Sequence, residues 1–331
     1  MTSAFHSFFR SASRALLPAI ALTATTLAQA QDKVSFLTSW YAQAEHGGYY
    51  QAVATGIYRK YGLDVTIKMG GPQINAVQLV AAGQADFMMG KDFQTLAAIE
   101  QGVPLVTVAA LFQKEPQGMV THMDVNGLAD LKDKTILVAT SGRSTWWPWL
   151  KLKYGFKDEQ ARPYTSSMQP FFADTTIAQQ GFPTSEPFIA EKAGMKVKFF
   201  MFADDGYPPY GNTIVTTQKF AKEKPDVVAR FVKATLEGWK SYLADPAPGN
   251  ALIRQDNPKM EDDLLAYGVK RTRELNLFGG GDAARAGAGI MTDARWKSTY
   301  DFMVTSGQLK PMANWQQAYT LQFVKDLKVM P

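Results

Sequence analysis

From Asp32 onward the chain alternates short apolar runs with stretches of helical period. Runs at 34–38, 63–67, 85–89 and 104–112 predict buried strands, and apolar positions recurring every three or four residues predict helices over 46–61, 72–82 and 92–101. Gly62, Gly83 and Gly102 stand where those helices stop, as a residue tolerant of positive φ should. The rhythm restarts after Gly118. Strands are expected at 119–122, 134–139, about 162–165, 175–182, 197–202 and 212–217, with helices around 128–131, from near Ser144, near Met168 and over 184–193. From Lys224 the pattern turns almost wholly helical, at 225–244, about 248–255, 259–275 and 292–306; Pro225 and Pro258 suit first helical turns and Thr292 an N-cap.

Strands alternating with helices of this length make an α/β chain of βαβ units with mainly parallel strands. Two such blocks and a helical tail predict two lobes, 31–114 with 217–331 and 115–216, the chain crossing near 113–118 and returning near 211–217. Ligands of open α/β sheets collect at the carboxyl ends of strands, so two lobes would bring those ends to face each other across a cleft. No repeat of fixed period and no low-complexity linker interrupts this plan.

The first thirty residues stand outside it. Arg10 and Arg14, the apolar run 16–27 and Ala28-Gln29-Ala30 have the grammar of a secretory signal peptide, which puts the mature start near Gln31. No later run is long enough to span a bilayer, so the exported product is expected to be soluble. The chain has no cysteine, which excludes disulfides, lipid attachment through cysteine, thiolate metal sites and cysteine nucleophiles. Removing the leader's arginines takes the net charge from +5 to near +3 with no Lys/Arg run, which speaks against nucleic acid as a partner. The 12% aromatic content is high, and raises the question of which rings are not core.

Candidate chemistry gathers behind the strands. After 34–38, Trp40 and Tyr41 can stack on a flat ligand with His46 as a hydrogen-bond partner, while Gly47-Gly48 would let a ligand approach backbone N–H groups; ordinary packing is the alternative for each, and for Tyr49 and Tyr50. Val53, Ile57 and Tyr61, four apart, read as the core face of that helix. Asp92 opens the helix behind 85–89. In "ATSGRSTWWPWLK", Ser141, Arg143 and Ser144 can meet an acceptor or serve as a solvated, capped turn. Trp146, Trp147 and Trp149 cannot all face inward on one helix, so at least one must be exposed or cover a cleft. Glu186 either complements a helix dipole or accepts from the amidine-like edge of an aminopyrimidine, and Asp205 and Tyr210 sit in the proline-stiffened turn "FADDGYPPYGN". Catalytic motifs are thin: His46 and His122 are the only histidines beyond the leader, no GxSxG, P-loop or GxGxxG follows a strand, and "GGGDAARAGAG" reads as a loop.

The stretches "HGGYYQAVATGIYRKYGLDVTI", "QLVAAGQADFMMG", "LADLKDKTILVATSG", "TSEPFIAEKAG" and "KPDVVARFVKATLEGW" resemble the periplasmic substrate-binding proteins of ABC importers in the nitrate/sulfonate/taurine class. Within it they are similar to the branch of thiamine-pyrimidine precursor and riboflavin binders and of the yeast-type pyrimidine synthase. The resemblance implies a two-lobed type II binding-protein fold and a monomer, with no cofactor and no metal. Such a protein captures a small heteroaromatic nutrient and docks on an inner-membrane permease. Sulfonate or taurine, nitrate and an aromatic carboxylate are the other ligands the class implies. The synthase relatives carry a cysteine-rich metal motif, which this cysteine-free chain lacks.

Overall fold

The computed structural model describes residues 30–71 and 74–331, so the predicted leader lies, but for Ala30, outside the described residues, as does the start of the helix predicted at 72–82, seen here as Ala76–Ala81. Among the described residues, ten strands form two five-stranded sheets. β1 (Asp32–Leu37), β2 (Leu63–Lys68), β3 (Phe87–Gly90), β4 (Leu105–Phe112) and β10 (Gly211–Thr217) lie in the order β2-β1-β3-β10-β4. β5 (Gly118–Thr121), β6 (Thr135–Val138), β7 (Ala161–Pro163), β8 (Ile177–Gly181) and β9 (Lys198–Met201) lie in the order β7-β6-β8-β5-β9.

One strand in each sheet runs against the rest. β10 is antiparallel to β3 and β4, and β5 to β8 and β9, so half of the strand pairings are antiparallel rather than mainly parallel as the alternation suggests. The cause is topological. β5 and β10 are the strands reached directly from the other sheet, without a helical crossover; each enters at the carboxyl ends of its neighbours and must run away from them. Because β10 belongs wholly to the first sheet, the second crossing is 202–210, not 211–217.

The helix predicted over 46–61 is two. Gly56, at φ 73°, breaks it into Gly47–Ala54 and Ile57–Lys60. Val53, Ile57 and Tyr61 are half-buried and pack against the margin of the first sheet's core, while Tyr49, Tyr50 and Tyr58 are buried. Tyr49 stacks on Phe36 of β1 at 4.0 Å and Tyr58 on Phe231 at 5.3 Å. Phe231 lies on the long helix Pro225–Ala244, whose buried Val228, Val232, Trp239 and Tyr242 make the tail an integral part of the first sheet's core.

Gly47 and Gly48 serve that same contact. A Cβ on Gly47 would fall 2.0 Å from the Tyr242 ring and one on Gly48 2.2 Å from Trp239. The glycine pair thus admits a neighbouring helix, not a ligand. Around the second sheet, Trp146, Trp147 and Trp149 are all buried together with Phe202 and Tyr207. They fit because Trp146 precedes the helix Trp147–Tyr154, leaving only two indoles to share its faces.

Candidate functional site

The carboxyl ends of both sheets enclose a cavity of about 160 Å³. From the first sheet, Trp40 follows β1, Lys91 and Phe93 follow β3, and Phe112 ends β4. From the second, Ser141 and Trp146 follow β6, while Gln180 near the end of β8 and Phe182 just after it come ahead of Glu186 at the start of the helix Glu186–Lys192. Both crossings add walls, Glu115 and Gln117 from one and Tyr207 from the other.

Among the sequence candidates, Trp40, His46, Ser141, Trp146 and Glu186 come together here. Six do not line it. Tyr41 is 40% exposed, its ring edge-on to Trp40. Asp92 is fully buried and holds the fold: it accepts from Tyr210 N at 3.1 Å and Thr299 Oγ1 at 2.9 Å, and burial pushes its carboxyl up to about 6. Arg143 donates to the Ala161 carbonyl, Ser144 back-bonds to Ser141, and Asp205 accepts from the Tyr154 hydroxyl at 2.8 Å. Tyr210 is buried, with the Arg295 guanidinium 4.4 Å from its ring centre.

Sequence reading missed Glu45, Lys91, Glu115, Gln180, Phe182 and Asn212. The crossing 113–118 carried a usable signal, because a segment joining two facing sheets necessarily walls the space between them. Two glutamines interrupting the apolar run 175–182 were another. For Glu45 the signal was its place in the turn behind β1.

Electrostatically the cavity is acidic. Its lining has three glutamates and one lysine, and Lys91 is paired with Glu115 at 2.5 Å. Glu186 Oε2 accepts from Phe182 N at 2.7 Å and from the Ser185 hydroxyl, and its Oε1 from Tyr164 at 3.2 Å; burial still holds its carboxyl above the usual range. Oε1 thus keeps a lone pair for another donor. Glu45, in the turn Ala44–His46, is 3% exposed and pushed up by burial to about 7. Its carboxylate accepts from Thr184 of the opposite wall, and its carbonyl from Asn212 Nδ2 at 2.9 Å. His46, buried beside it, is held down to about 3 by burial and is therefore neutral. Away from the cavity lining, the helix Glu186–Lys192 meets the helix Asp262–Glu274 and its start: Lys192 reaches Glu261 and Asp263, and the Phe188 and Tyr267 rings approach to 5.0 Å.

No group of three His, Cys, Asp or Glu side chains among the described residues is placed to hold a metal ion, and none of the described helices is long and apolar enough to cross a membrane.

A family model described as NMT1/THI5 like matches residues 43–248. The riboflavin-binding protein RibY of Chloroflexus aurantiacus is 25% identical over 323 residues, 93% of this chain and 91% of that protein. A formylaminopyrimidine-binding protein of Halalkalibacterium halodurans is 24% identical over 276 residues, 77% of this chain and 82% of its own. In structure, the periplasmic aliphatic sulphonate binding protein SsuA of Escherichia coli superposes with a TM-score of 0.64 at 13% identity, covering 86% of this chain and 91% of that one. The two-sheet α/β architecture is that of the periplasmic binding proteins.

Proposed function

The chain belongs to the NMT1/THI5-like family, and on that premise we propose that it is the periplasmic solute-binding component of an ABC importer, holding a flat heteroaromatic nutrient between two lobes and delivering it to a membrane permease. It does so as an exported monomer and without chemistry. The lobes meet through the crossings 113–117 and 202–210.

The observation that carries this reading is the cavity between the sheet ends, with indoles on opposite walls and a buried carboxyl at one side. Trp40 and Trp146 offer faces and edges to a ring, and Glu186 Oε1 accepts from its N–H edge. The volume narrows the choice. About 160 Å³ suits a single aromatic ring, since an engineered cavity of similar size in another protein takes up benzene. An aminopyrimidine fits that space, whereas a flavin needs a wider opening of the cleft.

Calorimetric titration of the mature protein against 4-amino-5-hydroxymethyl-2-methylpyrimidine, riboflavin, taurine, nitrate and benzoate tests the assignment. The pyrimidine should bind with the highest affinity. Binding of taurine or nitrate alone overturns the aromatic ligand and keeps the transport role. A synthase-like enzyme is the competing class; stoichiometric metal, or a pyridoxal-like absorbance in the purified protein, would establish it instead.

A further inference from the structure

Resting on the small-molecule reading above, we propose that Glu45 and Glu186 form a two-carboxyl subsite that selects a cationic ligand group, and that Glu45 is the residue setting this charge preference. The two glutamates come from opposite walls of the cavity, one behind β1 and one behind β8. They differ in how far the protein has already satisfied them. Glu186 is held by a backbone N–H and two hydroxyls of its own wall. Glu45 has one side-chain partner among the described residues, the neutral Thr184 hydroxyl on Oε1.

A buried carboxylate is normally paired with a cation or saturated by donors, because its hydration is lost. Among the described residues, the cation is missing from the protein's side. The only lysine in the lining is committed to Glu115, and the adjacent His46 is neutral. Glu45 is nonetheless placed with care. Asn212, itself at φ 48° in the left-handed region, donates to the Glu45 carbonyl, and its Oδ1 accepts from the Tyr49 hydroxyl at 2.8 Å. The Asn212 amide and a buried tyrosine therefore fix the turn that aims an under-satisfied carboxyl into the cavity. A group carrying an ammonium or amidinium would complete it, and each anion in the class would meet two like charges instead.

Two matched probe pairs test this by calorimetry at pH 8. The first is 4-amino-5-aminomethyl-2-methylpyrimidine against its hydroxymethyl counterpart, and the second is benzamidine against benzamide. Wild-type protein should bind the cationic member of a pair about tenfold or more tightly than the neutral one, as a charge-assisted contact in a dry site allows. Glu45→Gln, which keeps the shape and an acceptor for Thr184, should bring that ratio to about threefold or less. Thr184→Val should weaken both members together and leave the ratio in place. A wild-type preference for the neutral member, or a ratio unmoved in Glu45→Gln, overturns the proposal; should that variant fail to fold, Glu45→Asp, which withdraws the carboxyl by one methylene, is read in its place and must lower the ratio. Riboflavin binding with indifference to both pairs overturns this inference and leaves the transport reading standing, whereas the absence of any small-molecule binding overturns both.

Discussion

Replacing Trp40 with alanine separates a ligand-stacking indole from a packing one. Trp40 is half-buried, lines the cavity, and meets one aromatic neighbour, the exposed Tyr41, with ring centres 5.7 Å apart. The Thr38 hydroxyl bonds to its backbone carbonyl at 2.7 Å, and alanine keeps that bond. The ligand-free protein therefore loses little more than one edge-to-face contact, about 0.5–1.5 kcal/mol. For a chain of this size that is a fall in Tm of roughly 1–2 °C. Stacking a flat heterocycle on the indole is worth about 1–3 kcal/mol, with aromatic–base stacking as the analogue, so Kd should rise about 5- to 150-fold. Trp239 supplies the contrast. It is fully buried among Phe112, Tyr242 and Phe278, and its truncation should cost about 3–5 kcal/mol of stability. Thermal melts of the ligand-free variants and calorimetry with the pyrimidine give both quantities. A Trp40→Ala protein that melts as low as Trp239→Ala yet binds with unchanged affinity would refute the assignment, and the indole would be core.

Glu186→Gln should weaken the pyrimidine about tenfold through loss of a charged acceptor while leaving taurine or nitrate unharmed or improved, as titration of both would show. Gly48→Ala drives a methyl into the Trp239 ring and should lower Tm by an amount equivalent to about 1–3 kcal/mol, with the ligand-free melt as readout; an unshifted melt would mean that the two helices part easily. Burial raises the Glu45 carboxyl from 4.5 to about 7, so the folded state holds that proton more tightly than the unfolded chain, and stability falls as pH rises between those values. Glu45→Gln should accordingly melt several degrees above wild type at pH 8 and draw level by pH 5, the contributions of Asp92 and His46 cancelling in the comparison. Saturating ligand should hold the contacts of Lys192 and Phe188 with the tail closed, and X-ray scattering should record a smaller radius of gyration than without ligand.

The alternation of apolar runs placed each of the ten strands among the described residues, and the long tail helix Pro225–Ala244 agrees with its predicted bounds, because an amphipathic period over twenty residues leaves little freedom. Strand direction was not legible. Nothing local in 118–121 or 211–217 tells a strand reached from the opposite sheet from one reached by a helical crossover; that difference lies in the path, not the composition. The broken helix at Gly56 was similarly hidden, since a glycine after "VAT" fits an interior as readily as a stop until φ is known.

On the first-sheet side of the site, the buried failures share one physical form, whereas Arg143, Ser144 and Asp205 are taken up by partners of their own sheet. Asp92, Tyr210 and Gly47-Gly48 carry the residue types a ligand would want, in positions at strand ends, yet each is consumed by a neighbour far away in sequence: Thr299 for Asp92, Arg295 for Tyr210, the rings of Tyr242 and Trp239 for the glycines. All of those neighbours come from the tail. A helical tail folding back onto the first sheet takes polar and small residues there for packing and leaves the second sheet's loops, which it covers less, closer to the cleft. Ser141, Trp146 and Glu186, all behind second-sheet strands, do line the cavity. What survives among the first-sheet candidates is Trp40 and His46, on a segment whose Ala42 and Ala44 meet the tail while Trp40, Glu45 and His46 line the cavity, and it is there that Glu45 was passed over as the acidic neighbour of a more conspicuous histidine. Burial had already made that histidine neutral and the glutamate reluctant to ionise, so the chemistry of the turn sits one residue earlier than its composition suggests.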